Sequence, residues 1–82
     1  MITDKDVQDA LKEITTKSPE QIEQETAIKW GARAIASWSL AQSGSPFWWQ
    51  QAATYKHEAV EHAAFGPAGL VETIKQQLKD VP

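Results

Sequence analysis

From Glu20 to Gln42 the chain runs without a strong helix breaker, and its small and apolar residues recur at helical spacing. A helix advances about 100° per residue, so positions three and four apart share a face. Ala27, Gly31, Ala34, Trp38 and Ala41 fall on one face, flanked by Ile28 and Ile35. Glu25, Lys29 and Arg33 run down the opposite side, where water is expected. A Glu25–Lys29 pair at this spacing contributes only about 0.2–0.5 kcal/mol. Each large apolar side chain taken out of water contributes roughly 1.5–3 kcal/mol. The apolar face should therefore set the orientation of this helix. Gly31 costs about 1 kcal/mol relative to alanine in a helix interior. Its place on the apolar face predicts a close neighbour, most simply another helix.

Start and stop signals divide the rest of the chain. Thr3 is followed three residues on by Asp6, a variant of the capping box, with Ile2 and Val7 at the staple positions. Val7, Ala10, Leu11 and Ile14 keep helical spacing and predict a first helix over about 4–15. Ser18-Pro19 with Gln21 starts the second helix, about 19–42, and Ser43-Gly44 stops it. Ser45-Pro46 starts a third helix, about 46–65, closed by Gly66-Pro67. Its apolar face reads Trp48, Ala52, Tyr55, Ala59 and Ala63. A last helix, about 68–80, carries Leu70, Ile74, Leu78 and Val81. The short connection makes the second and third helices an antiparallel hairpin, their small residues back to back. The expected fold is all-α: one domain, residues 1–82, of four helices built on that central hairpin.

Eighty-two residues bury a modest core, and four tryptophans enlarge it. There is no cysteine, hence no disulfide framework or thiol chemistry. A net charge of −3 argues against nucleic acid, which calls for a basic stripe. The acidic, polar start is unlike a signal peptide, and no apolar run reaches membrane-spanning length, so a cytoplasmic protein is expected. Attachment at a membrane surface is disfavoured, because nearby acidic residues would be repelled by anionic lipid.

Two groups of residues invite a functional reading. Phe47, Trp48 and Trp49 are consecutive on a helix, so they point about 100° apart and no single neighbour covers all three. Trp48 fits the buried face. Phe47 points to the polar side, and Phe65 falls on the same side at the other end of the helix. Trp30 lies off the axis of the buried face and borders the same surface. Trp30, Phe47, Trp49 and Phe65 are therefore the expected contacts of a protein-binding surface, for a partner or for self-association as a homo-oligomer. The competing use of these aromatics is the core.

The second group is His57, Glu58, Glu61 and His62. The zinc-protease pattern places histidines at its first and fifth positions, and here the fifth is Glu61. The Glu-x-x-His pattern of di-metal bundles is also broken, since glutamate and histidine stand one or four apart. The plain expectation is a solvated surface with His57–Glu61 and Glu58–His62 pairs, His62 being partly buried beside Tyr55. A metal-binding bundle using these four residues is the alternative. No nucleophile–base arrangement or phosphate loop is visible, so no enzyme and no cofactor are expected.

Overall fold

The computed structural model describes residues 2–16 and 27–82. Among the described residues four helices follow one another: α1 (Asp4–Thr16), α2 (Ala27–Ala41), α3 (Pro46–Ala64) and α4 (Leu70–Gln77). The Ser18-Pro19-Gln21 start signal, the second helix before Ala27, and the Glu25–Lys29 pair lie outside the described residues.

Thr3 and Asp6 form a reciprocal cap at the start of α1. The Asp6 N–H donates to Thr3 Oγ1 at 3.2 Å, and the Thr3 N–H donates to Asp6 Oδ2 at 3.0 Å. Hydrogen bonding from the Thr3 backbone N–H, and secondarily from the Thr3 side chain, holds the Asp6 carboxyl below its usual range. A lowered carboxylate pKa means that the cap's contribution is present above the ordinary aspartate pKa and is lost as pH falls through the lowered value. Thr3→Ala is expected to lower Tm by roughly 4–8 °C at neutral pH, and by less in acid, in thermal melts across pH.

α2 and α3 form the antiparallel hairpin. Gly44 takes the left-handed conformation, φ 94°, and its N–H closes α2 on the Ala41 carbonyl at 2.9 Å. Ser45 then caps α3, accepting from the Trp48 N–H at 3.5 Å, with Pro46 in the first turn. Ala34, Ala52 and Ala59 are completely buried in this core, with Ala27 and Ala63 nearly so. Small side chains at these positions leave little between the two helices to hold them apart.

α2 is buried on a second face as well. Ala32 and Ala36 pack against Ala10 of α1, with Val7, Leu11, Ile14 and Ile2 around them. α1 therefore covers part of the side expected to face water. Arg33, read from the sequence as solvent-facing, is only 1% exposed.

α4 packs mainly on α3. It starts two residues later than expected, because Gly69 adopts φ 88° and serves as the cap. It ends at Gln77 rather than Asp80, with Leu78 as its C-cap. The buried stripe persists beyond the helix: Ile74 and Leu78 are fully buried and Val81 nearly so. Lys56 of α3 donates to the Val81 carbonyl at 2.6 Å, tying down this end of the chain. The close neighbour of Gly31 is not α3. A Cβ there would stand 2.5 Å from Ile2 Cδ1 and 3.9 Å from Leu78 Cδ1.

Candidate functional site

The α2–α3 hairpin has an apex made of the end of α2, the Gly44 turn and the first turn of α3. From Ala34 to Tyr55 no residue carries a formal charge. Folding brings that neutral stretch into one end of the molecule. A charge-free apex stands out on a chain in which 23% of residues are charged.

An open groove of about 860 Å³ runs across this apex, lined in part by Trp38, Pro46, Phe47 and Trp49 with the amides of Gln42 and Gln50. That size lies within the roughly 300–1,000 Å³ common for ligand clefts. Trp49 packs edge-on to Trp38, with centroids 5.9 Å apart at 69°. Phe47 packs edge-on to Trp48, 5.0 Å apart at 78°. Each aromatic is thus braced by a neighbouring ring on one side and open on the other. Phe47 remains 57% exposed and Trp49 49% exposed. Gln42 Nε2 donates to the Trp38 carbonyl at 3.2 Å, which holds the groove wall to the last turn of α2.

The four expected contact residues do not form one surface. Phe47 and Trp49 sit together at the apex, while Phe65, 90% exposed, stands at the far end of α3. Phe65 lies where α3 ends and its N–H donates to the His62 carbonyl at 3.2 Å. Trp30 is half-buried near the other end of the hairpin. Its ring stacks on His62, 5.6 Å apart and 9° from parallel, and lies 5.8 Å from Tyr55.

Trp30 belongs to a cluster that joins three helices. The Arg33 guanidinium carbon lies 4.6 Å from the Trp30 ring centroid, a cation–π geometry. Arg33 Nε donates to Glu13 Oε1 of α1 at 2.6 Å, and Nη2 forms an ion pair with the same oxygen. Burial pushes the Tyr55 phenol pKa up, and the nearby Arg33 charge opposes that shift. Arg33 Nη1, Trp30 Nε1 and Ser37 Oγ are buried without a hydrogen-bond partner among the described residues. The arrangement docks α1 onto the hairpin through the charged, hydrogen-bonded contact of Glu13 with Arg33.

The His57, Glu58, Glu61 and His62 group separates into two pairs four residues apart. His57 Nε2 lies 3.2 Å from Glu61 Oε1, and His62 Nε2 lies 3.6 Å from Glu58 Oε2. The two histidines are five positions apart, about 140° around the helix, so they do not converge. Among the described residues no three His, Cys, Asp or Glu side chains come together to hold a metal ion. His62 is engaged as an aromatic partner of Trp30 instead.

Among the described residues no helix is long and apolar enough to cross a membrane. Compared with protein-family models, characterised proteins and solved structures, the chain matches none.

Proposed function

We propose that this domain is a non-enzymatic protein-interaction module whose contact surface is the neutral aromatic apex of the α2–α3 hairpin. The observation that carries this reading is the half-exposure of both Phe47 and Trp49 at the rim of one uncharged groove. A small domain gains stability by burying every large aromatic it has. Leaving two of them in water forgoes that gain, and binding recovers it. Aromatic anchors in a water-excluding pocket carry a large share of the energy of protein interfaces. Their bracing against Trp38 and Trp48 fixes the rings before contact, which lowers the entropy cost of binding. The groove also holds amide groups able to meet a backbone without a charge of their own.

The test compares the wild type with a Phe47→Ala/Trp49→Ala variant and with Gln76→Ala, a substitution at an exposed site on α4. Far-UV circular dichroism checks that each retains its helices. Sedimentation over a concentration series and retention of proteins on the immobilised domain then measure interaction. The expected result is an association made by the wild type and by Gln76→Ala and lost from the double variant. Equal behaviour of all three in both measurements rejects the apex as a binding surface.

A further inference from the structure

We draw no further inference here: the strongest candidate, the open aromatic groove at the apex of the α2–α3 hairpin, belongs to the surface already described, and nothing in the structure shows what covers it.

Discussion

Glu13→Ala is expected to destabilise the domain by about 3 kcal/mol, the low end for breaking a buried ion pair by removing one partner. The low end applies because Glu13 keeps 15% of its side chain in water, although Arg33 keeps only 1%. The truncation leaves the Arg33 guanidinium buried with its Glu13 partner gone and with no hydrogen-bond partner for Nη1 among the described residues. A domain of this length has roughly 4–12 kcal/mol of total stability. A loss of this size should move Tm down by more than about 10 °C. Arg33→Met should behave differently. It removes the charge itself, fills the space with an apolar chain of similar length, and leaves Glu13 free to reach water. Replacing a buried ion by a packed apolar residue is often neutral or stabilising. The expected order is a severe loss for Glu13→Ala and a change within about 1 kcal/mol for Arg33→Met, measured by denaturant unfolding. Equal losses in the two variants would mean that packing around the Arg33 stem, rather than the uncompensated charge, sets the energetics.

The position of Arg33 also marks where the sequence stops being legible. Its charge and its distance from Gly31 and Trp38 place it on the wet side when α2 is judged by its strongest apolar face alone. Yet α1 has its own stripe, Val7, Ala10, Leu11 and Ile14, which needs a partner. Ala32 and Ala36 supply it, and Arg33 lies between those two positions. Both signals are in the chain, but only pairing the helices shows that the second alanine face accepts the first helix. Local signals transfer better. The Thr3–Asp6 cap and the Gly44-Ser45-Pro46 turn depend on neighbours a few residues away, and they fold as their chemistry dictates. The same division holds at the candidate site. Exposure of Phe47 follows from the angle between consecutive helical residues. The separation of Trp30 from Phe47 depends on which end of α3 lies beside it, a property of the antiparallel pairing. The uncharged stretch from Ala34 to Tyr55 is plain in the sequence, but becomes a surface only when the hairpin gathers it at one end.

Leu78→Ala should produce a loss of about 2–5 kcal/mol, the range for truncating a fully buried leucine. Leu78 lies just past the end of α4, yet it is as deeply buried as Ile74 within the helix. Its Cδ1 reaches the space over Gly31 that an alanine methyl would approach to 3.9 Å. The absence of a side chain at Gly31 thus admits Ile2, while Leu78 lies at ordinary contact distance from where a methyl would stand, so residues near the two ends of the chain meet over α2. Ile2 is held to the same region, its N–H donating to Gln77 Oε1 at 3.4 Å. Truncating Leu78 removes packing common to α2 and α4, and leaves the hydrogen bond from Lys56 to the Val81 carbonyl in place to hold this end of the chain to α3. Gly31→Ala is the matched control. Its methyl gains about 1 kcal/mol of helix propensity and displaces only the flexible tip of Ile2, so its net effect should be small. Thermal unfolding of the two variants separates the contributions: a large loss for Leu78→Ala beside a small change for Gly31→Ala locates the stability in the leucine packing. A large loss for Gly31→Ala as well would show that Ile2 is fixed in place, and that the start of the chain clamps the hairpin as firmly as its end.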